Sequence, residues 1–320
     1  MIVAFYSFKG GAGRSMALVN VGEVLCRAGL RILLVDFDLE APSLETYYSD
    51  RNEAILDAPG VLDLVASFQR TIASPGPLFQ GASAALPLEG IQASMVEVRR
   101  ESGGGSICLI SGGRRAGPQM RRYVSAVNAL DWKDLYDHWE GELYFRFLRQ
   151  QLDAQADVTL VDCPSGITET GRICCGQVAD AVVLLCAPSV QHMSGCEMMV
   201  KWLLDPRLAA VREDPLKAIV FPSRTEALEF SLVQDFRARF AATFEPFLPS
   251  EISAHEIWHG EIPFVPYYSF GNRIAVREET PGDPKSLAAA YERLTAFLCR
   301  LAPRGSRLFA ASERTEDSNR

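Results

Sequence analysis

A glycine-rich turn near the start of the chain restricts the possible folds more than any other feature. The segment Phe8–Ser15 reads Phe-Lys-Gly-Gly-Ala-Gly-Arg-Ser, follows the apolar run Ile2–Tyr6 and precedes the amphipathic stretch Met16–Arg27. Strand, glycine turn and helix start, in that order, are the context that a phosphate-binding loop requires. Glycine permits positive φ angles, so the backbone amides of such a loop can approach an anion closely. The pattern predicts an anion site at a helix N-terminus.

The two residues after the last glycine supply the side chains that a nucleotide site needs. Arg14 offers positive charge to the β- and γ-phosphates, and Ser15 offers a hydroxyl to Mg²⁺. The predicted nucleotide contacts are Gly10, Gly11, Ala12, Gly13, Arg14, Ser15 and Met16. A glycine-rich turn with adventitious charges is the alternative interpretation, and it would stand if no other motif accompanied the loop.

A second apolar run ends in a pair of carboxylates. Residues 31–35 read Arg-Ile-Leu-Leu-Val and are followed by Asp36 and Asp38. A continuous apolar run suits a strand buried on both faces of a parallel sheet. Side chains at the C-terminal end of such a strand lie where doubly wound sheets bind ligands. The alternative is that one of these aspartates only caps the following turn.

A third apolar run also ends in an acid. Residues 158–161 read Val-Thr-Leu-Val and precede Asp162, and the pattern Asp-x-Pro-x-Gly continues to Pro164 and Gly166. A hydrophobic strand that ends in aspartate matches the Walker B pattern, in which the carboxylate binds Mg²⁺ through water. A glycine four residues later can bring its backbone N–H against a γ-phosphate, and such a loop moves when that group leaves.

Taken together, these motifs resemble the deviant Walker A pattern, Lys-Gly-Gly-x-Gly-Lys-Ser/Thr, of the ParA/MinD family of dimeric ATPases. The matching positions are Lys9 through Ser15, the Asp36-x-Asp38 pair and the Asp162-x-Pro164-x-Gly166 segment. The resemblance implies ATP and Mg²⁺ as ligands and a P-loop NTPase fold like that of MinD and ParA. In that family the early lysine reaches across the dimer interface to the partner's nucleotide, so Lys9 is expected to act in a homodimer formed with ATP.

The resemblance also assigns roles to the acids and to Arg14. It implies that Asp38 helps to position the attacking water, and that Asp36, Ser15 and Asp162 support the Mg²⁺ ion. The chain departs from the family at Arg14, which replaces the family's P-loop lysine and matches a Lys-Gly-Gly-x-Gly-Arg subgroup. Arginine keeps the charge but has a planar fork instead of a compact ammonium. We therefore expect phosphate binding with slow hydrolysis, and count Arg14 with Lys9 and Asp38 among the catalytic residues.

Recognition of the base is the least defined part of the predicted site. In the family the purine is contacted after the strand that here ends Phe221-Pro222-Ser223-Arg224, which points to Arg224. A second contact comes from the loop after the last strand, here Pro266 and Tyr267. The family often has Asn or Asp at the first place, so the preference for ATP over GTP follows from the resemblance alone.

The order of predicted elements indicates an α/β fold with a doubly wound, mostly parallel sheet. We expect one domain over residues 1–303 with an elaborated insert at about 59–155, and a mobile polar tail over 304–320. Within the insert, residues 74–90 are rich in Pro, Gly, Ala and Ser and predict a loop. The remaining expected elements are strands at 2–6, 31–36, 106–111, 158–162, 181–187, 216–221 and 261–266, and helices at 15–28, 59–70, 131–155 and 284–301. A further helical run is expected after Pro188, through Leu204.

Composition and charge place limits on the location of the protein. No apolar run approaches the ~20 residues of a membrane span, and the first predicted strand leaves no room for a secretory signal. The eight cysteines are scattered, which favours small buried side chains over a disulfide framework. The adjacent pair Cys174–Cys175 is interpreted as packing, not as a metal site. We expect a cytoplasmic protein without a transmembrane segment.

The leading functional hypothesis is a slow ATPase that acts as a nucleotide-dependent dimer switch and controls a partner protein or polymer. The second is a nucleotide-sensing scaffold with little turnover, which Arg14 favours. The third, a bacterial tyrosine kinase on the same fold, is disfavoured because no tyrosine follows Tyr291 and those enzymes carry a C-terminal tyrosine cluster.

Two further surfaces were weighed as partner sites. A local basic group, which suggests DNA as a possible partner, consists of Arg99, Arg100, Arg114, Arg115, Arg121 and Arg122. The net charge of −8 opposes a broad phosphate-binding face, so DNA is not the favoured partner. The apolar face of the final helix is expected to dock on the protein, not on lipid.

Overall fold

The computed structural model of the protein describes residues 1–73, 91–212, 214–225, 230–250, 252–253, 256–257, 261–280 and 282–310. The strands are β1 (Ile2–Tyr6), β2 (Arg31–Asp36), β3 (Val96–Arg100), β4 (Ser106–Ile110), β5 (Val158–Asp162), β6 (Ala181–Cys186), β7 (Lys217–Thr225) and β8 (Ile262–Pro263). The helices of the first half are α1 (Arg14–Arg27), α2 (Asn52–Asp57), α3 (Val61–Ala73), α4 (Ile91–Ser94), α5 (Gln119–Ala129), α6 (Trp132–His138) and α7 (Gly141–Gln155). Those of the second half are α8 (Glu169–Ile173), α9 (Val190–Leu203), α10 (Pro206–Ala210), α11 (Phe230–Phe244), α12 (Pro266–Gly271), α13 (Ala275–Glu278) and α14 (Leu287–Leu301). A π-helical turn, Cys174–Val178, continues α8, and short 3₁₀ turns lie at Leu44–Tyr47, Ser49–Arg51 and Glu245–Phe247.

The strands form an eight-stranded sheet in the order β3-β4-β2-β5-β1-β6-β7-β8. All neighbouring pairs are parallel except β3 with β4, so the prediction of a mostly parallel α/β sheet is confirmed. Every residue of β1, β5 and β6 is buried. Since side chains alternate between the two faces of a strand, both faces of the central sheet must be covered.

Helix α1, which follows the glycine turn, is held on several sides. It packs against β1, β2, β4 and β5 and against the C-terminal helices α13 and α14. Inside this contact the buried Asn20 accepts a hydrogen bond from the backbone N–H of Val276 at 3.0 Å, and Arg277 forms an ion pair with the buried Glu23 at 2.5 Å. The final helix therefore docks on the protein, as its apolar face predicts.

Two expected elements differ in detail, and one strand was not expected. The long helix expected at 131–155 is two helices, α6 and α7, because Glu140 adopts a left-handed conformation with φ 56° between them. The strand expected at 261–266 pairs only at Ile262–Pro263, since Pro266 already begins α12. Strand β3 was not expected, and it pairs antiparallel at the sheet edge. The loop expected at 74–90 lies outside the described residues.

The basic group that suggested DNA binding is not one positive surface. Arg99 pairs with Glu101, Arg100 pairs with Glu97, and Arg114 pairs with Asp63. Arg115 is buried and pairs with Glu45 at 3.0 Å. Only Arg121 and Arg122 of the six are exposed without a carboxylate partner among the residues that the structure describes. Local neutralisation removes the charge that would attract a nucleic acid.

The cysteines and the C-terminal segment complete the description. All eight cysteines are free, and seven are buried, as small apolar side chains are expected to be. Within the described part of the chain, no helix is long and apolar enough to cross a membrane. In the segment expected as a mobile tail, Leu308 is 1% exposed and Arg307 pairs with Asp157 at 2.9 Å, while Arg304, Gly305 and Arg307 are exposed. The mobility of this segment stays a prediction. Residues 311–320 lie outside the described chain.

Gly105 permits a close approach between β4 and the end of α1. A Cβ atom on Gly105 would lie 1.9 Å from the carbonyl oxygen of Cys26, which is backbone and cannot turn aside. We expect Gly105→Ala to lower the free energy of unfolding by about 3 kcal/mol, measured by urea denaturation. Gly103→Ala is the control, since no atom lies within 4 Å of its added Cβ. Equal stability of the two variants would contradict this account of the packing.

Candidate nucleotide-binding site

The glycine turn joins β1 to α1. Gly11 and Gly13 adopt left-handed conformations, with φ 86° and 80°. Gly13 is the N-cap residue of α1, and no side chain of the described residues caps the N–H groups of the first helical turn. Uncapped amides and the positive end of the helix dipole together favour an anion at this position.

Register in the sheet brings the acids to the same place. Asp36 is paired with Asp162 across β2 and β5, and Phe5 of β1 is paired with Asp162 on the other side. The C-terminal ends of β1, β2 and β5 therefore meet next to the start of α1. This is the edge at which open parallel sheets bind ligands.

Four predicted side chains contact one another at this edge. Arg14 Nε donates to Asp162 Oδ1 at 2.5 Å, and Arg14 Nη2 donates to Asp38 Oδ2 at 2.6 Å. The hydroxyl of Ser15 donates to the second oxygen of Asp162, also at 2.5 Å. One guanidinium thus holds the acids at the ends of two strands, which no single motif in the sequence reveals.

Arg14 and Asp38 are largely shielded from solvent, so their contacts shift the pKa values of both side chains. Burial lowers the pKa of Arg14, but the charges of Asp162 and Asp38 outweigh burial and raise it. Burial raises the pKa of Asp38, and the adjacent Arg14 partly offsets this. The Asp162 side chain is fully buried, and Arg14 supplies the counter-charge next to it.

Asp36 lies deeper and has different partners. Its Oδ2 accepts hydrogen bonds from the backbone N–H groups of Ser43 and Leu44, at 2.9 and 3.1 Å, and the side chain is fully buried. Burial, together with the charge of Asp162, raises the pKa of Asp36. These are the contacts of a turn-capping residue, the alternative weighed for this position. The support that Asp36 would give to Mg²⁺ stays a prediction.

The donor set near Ser15 fits Mg²⁺ bound together with phosphates. No group of three or more His, Cys, Asp or Glu residues in the described chain is arranged to hold a metal ion unaided. Mg²⁺ usually takes one or two protein oxygens and completes its shell with substrate phosphates and water. The Ser15 hydroxyl and the Asp162 carboxylate, already in contact, are oxygens of this kind.

Lys9 and Phe8 connect the loop to α9, which sequence patterns did not suggest. Lys9 is exposed, and its ammonium donates to Gln191 Oε1 of the same chain. The ring of Phe8 lies against Gly195, where an added Cβ would come within 1.8 Å of the ring. Only glycine at position 195 leaves room for Phe8, but no spacing rule links a helical glycine to a loop 187 residues earlier.

Gly166 is engaged inside the protein. Its φ is 79°, its N–H donates to the carbonyl oxygen of Ser7 at 3.3 Å, and its carbonyl accepts from the hydroxyl of Tyr6 at 3.1 Å. To donate to a γ-phosphate, as predicted, Gly166 must give up its bond to Ser7. Such an exchange would make Gly166 a two-state element of the kind that reports a bound phosphate, and it stays a prediction.

The predicted base contacts are only partly brought to the loop. Arg224 has the unusual φ of 53°, donates to the carbonyl oxygen of Gly11 at 2.7 Å and stacks over Phe264 at 4.0 Å. Ser223 is buried, and its hydroxyl has no hydrogen-bond partner in the described residues. Tyr267 is 58% exposed and packs under Arg273, away from these contacts. Pro266 begins α12 and has no contact to the loop among those described.

Comparison with known families gives a match over the part of the chain that carries the loop. Residues 3–133 match the family described as CbiA, the CobQ/CobB/MinD/ParA nucleotide binding domain. A comparison with curated protein sequences gives no match.

Solved structures share the fold over nearly the whole chain. The MinD cell division protein of Aquifex aeolicus is 17% identical, with a TM-score of 0.56 over 92% of this chain and 96% of that protein. An ATP complex of Cyanothece McdA is 16% identical, with a TM-score of 0.59 over 93% and 95%. Cobyrinic acid a,c-diamide synthase of Mycobacterium smegmatis, with an ATP analogue and magnesium, is 16% identical, with a TM-score of 0.62 over 95% and 96%. At these identities the likeness establishes the fold.

Proposed function

We propose that this protein, whose residues 3–133 match the CobQ/CobB/MinD/ParA nucleotide binding domain, is a slow ATPase that acts as a nucleotide-dependent dimer switch. One observation carries the proposal. The uncapped N-terminus of α1 lies beside Arg14, Ser15 and Asp162, which converge from two separate segments. A polyphosphate anion and its Mg²⁺ ion would satisfy all three kinds of group at once.

Each group of residues in the site has its own role in the proposed function. The amides of the glycine turn and the first turn of α1 bind phosphate oxygens, and Arg14 adds charge to the β- and γ-phosphates. Ser15 and Asp162 would hold Mg²⁺, which would supply positive charge to the phosphoryl oxygens. Asp38 orients water once Arg14 has turned from the carboxylate toward phosphate. Lys9, exposed at the mouth of the loop, contacts the nucleotide of a second subunit.

Titration calorimetry with ATP tests the proposal directly. We expect ATP to bind with Mg²⁺ present, and Ser15→Ala to weaken binding by about 10- to 100-fold because a metal ligand is lost. Ser125→Ala is the matched control, since Ser125 lies on α5 and donates only to its own helix. Absence of ATP binding to folded protein would overturn the proposal. Competition by GTP equal to that by ATP would overturn the choice of adenine.

A second function, a nucleotide sensor with little turnover, is favoured by the Arg14–Asp38 contact. The carboxylate that would orient water is held by Arg14 at 2.6 Å. If this contact persists with ATP bound, Asp38 cannot serve the attacking water. The rate of Mg²⁺-dependent phosphate release from ATP distinguishes the two functions. A rate equal to that of ATP in buffer without protein supports the sensor, and a higher rate supports the switch.

A further inference from the structure

A cavity of about 770 Å³ lies apart from the phosphate loop. Helices α6 and α7 form one side, and α8 and its π-helical turn form the floor. The other side is lined by Trp202, Leu208, Val211, Arg212 and Asp214. None of its lining residues belongs to the loop or to the acids around Arg14. Its volume is in the range of sites that bind small molecules and cofactors.

Three aromatic side chains line this cavity, and each is fixed by a specific contact. Trp132 donates its indole N–H to the Thr170 hydroxyl at 2.8 Å, and the Tyr136 hydroxyl donates to Gln177. Trp202 packs on Gly176, where an added Cβ would lie 2.6 Å from the indole ring. Fixed aromatic rings offer flat apolar surface at little cost in conformational entropy. The floor is a π-helical turn, a local geometry that occurs frequently at functional sites.

Most of the basic side chains of this cavity are already paired with carboxylates. Its lining contains five basic residues, Lys133, Arg146, Arg149, Arg172 and Arg212, and three acidic residues, Glu142, Glu169 and Asp214. Lys133 pairs with Asp137, Arg146 with Glu142 and Arg149 with Asp180, so an anion has to be bound by a specific unpaired cation and not by a general excess of positive charge.

One guanidinium in the cavity is available to a ligand. Arg212 donates to the backbone carbonyls of Gly176 and Ala179, and Arg149 pairs with Asp180, so both mainly support the walls. Arg172 is exposed, lies 5.5 Å from the centre of the Trp202 ring and has no carboxylate or carbonyl partner among the residues that the structure describes. Arg172 and Trp202 thus place a free cation beside an aromatic surface.

We propose that this cavity is a second ligand site, which binds a planar aromatic anion of mononucleotide size. The ring of the ligand stacks on the tryptophan surface, and its anionic group pairs with Arg172. A neutral aromatic molecule lacks the second contact, and inorganic phosphate lacks the first. The site is separate from the phosphate loop, so it does not depend on the function proposed above.

Tryptophan fluorescence tests this site, because Trp132 and Trp202 are two of the four tryptophans. AMP is the probe, and adenosine is its uncharged counterpart. We expect saturable quenching by AMP, weaker binding of adenosine, and a loss of AMP affinity of about tenfold in Arg172→Ala, with partial recovery in Arg172→Lys. Arg122→Ala on α5 is the control for loss of an exposed arginine and should leave AMP binding unchanged.

Three outcomes would overturn the second site. They are the absence of saturable quenching, equal affinity for AMP and adenosine, and unchanged AMP affinity in Arg172→Ala. A short oligoadenylate that binds more tightly than AMP would assign the cavity to nucleic acid and also overturn the proposal. Ser15→Ala separates the two sites: AMP quenching retained in that variant supports the cavity, and quenching lost in it but retained in Arg172→Ala places AMP at the loop.

Discussion

Replacing Arg14 with alanine is expected to lower the free energy of unfolding by about 3–5 kcal/mol and to abolish tight ATP binding. The stability loss arises because Asp162, whose side chain is fully buried, loses its counter-ion. Leaving one member of a buried ion pair without its partner costs this order of free energy. ATP binding is lost because, among the described side chains, only Arg14 places positive charge next to Asp38 and Asp162. Without it, the phosphates of ATP would approach two carboxylates that no cation neutralises. Urea denaturation and titration calorimetry measure the two effects.

Addition of Mg²⁺ provides a second test of the role of Arg14 as counter-ion. If Arg14 occupies the place of a cation between Asp38 and Asp162, then Mg²⁺ should raise the melting temperature of Arg14→Ala more than that of the unaltered protein. Arg14→Lys is the companion variant, because it keeps the charge but loses the fork that reaches both acids. We expect Arg14→Lys to keep most of the stability and to release phosphate faster, since Asp38 is freed. Unchanged stability of Arg14→Ala without Mg²⁺ would contradict the role of Arg14 as counter-ion.

Replacing Lys9 with alanine is expected to eliminate ATP-driven association while ATP binding to the single subunit is retained. Lys9 is exposed at the loop, and its only described side-chain contact is with Gln191, so its removal leaves no buried charge behind. Its charge is available to a phosphate group of a neighbouring subunit. Sedimentation with Mg²⁺ and ATP should show a mass near twice that of the subunit for the unaltered protein, and the subunit mass for Lys9→Ala.

The control for this experiment is Lys201→Ala. Lys201 is an exposed lysine of α9 that pairs with Glu197 on its own helix, so its loss removes the same charge from a different part of the surface. Lys201→Ala should still associate with ATP. A mass that does not depend on nucleotide in the unaltered protein would defeat the switch. ATP-driven association in Lys9→Ala would remove Lys9 from the interface.

The sequence predicts the sheet well because each central strand can be recognised from a short stretch of neighbouring residues. Strands β1, β2 and β5 are short apolar runs between turn residues, and burial on both faces requires this. The break between α6 and α7 could not be predicted, because Glu140 adopts a left-handed conformation that its residue type does not favour. Strand β3 was missed for a related reason. It is a short edge strand with charged Glu97, Arg99 and Arg100, and charge on an edge strand weakens the strand signal.

The parts of the site that depend on neighbouring residues could be predicted from the sequence, and the contacts between distant segments could not. The loop, Asp38 and Asp162 were each evident from a strand followed by polar residues. The Arg14 clamp was not, since it depends on β2 and β5 being neighbours with Asp36 in register with Asp162. The capping bonds of Asp36, the contact of Phe8 with Gly195 and the bond from Arg224 to Gly11 likewise join segments far apart in the chain.

The position of β1 in the sheet has a consequence for how the protein is made. Its two neighbours are β5 and β6, so β1 pairs with residues 159–162 and 181–184 and with neither β2 nor β4. A ribosome releases the chain from its N-terminus, so the strand that anchors the glycine turn waits unpaired while well over a hundred residues are synthesised. During that interval β1 is an apolar strand with unpaired edges, a feature that promotes aggregation. We therefore expect the nascent chain to bind chaperones. Translation products that stop before β5 carry an intact motif on an unanchored strand, and they should neither retain nucleotide nor sequester full-length subunits.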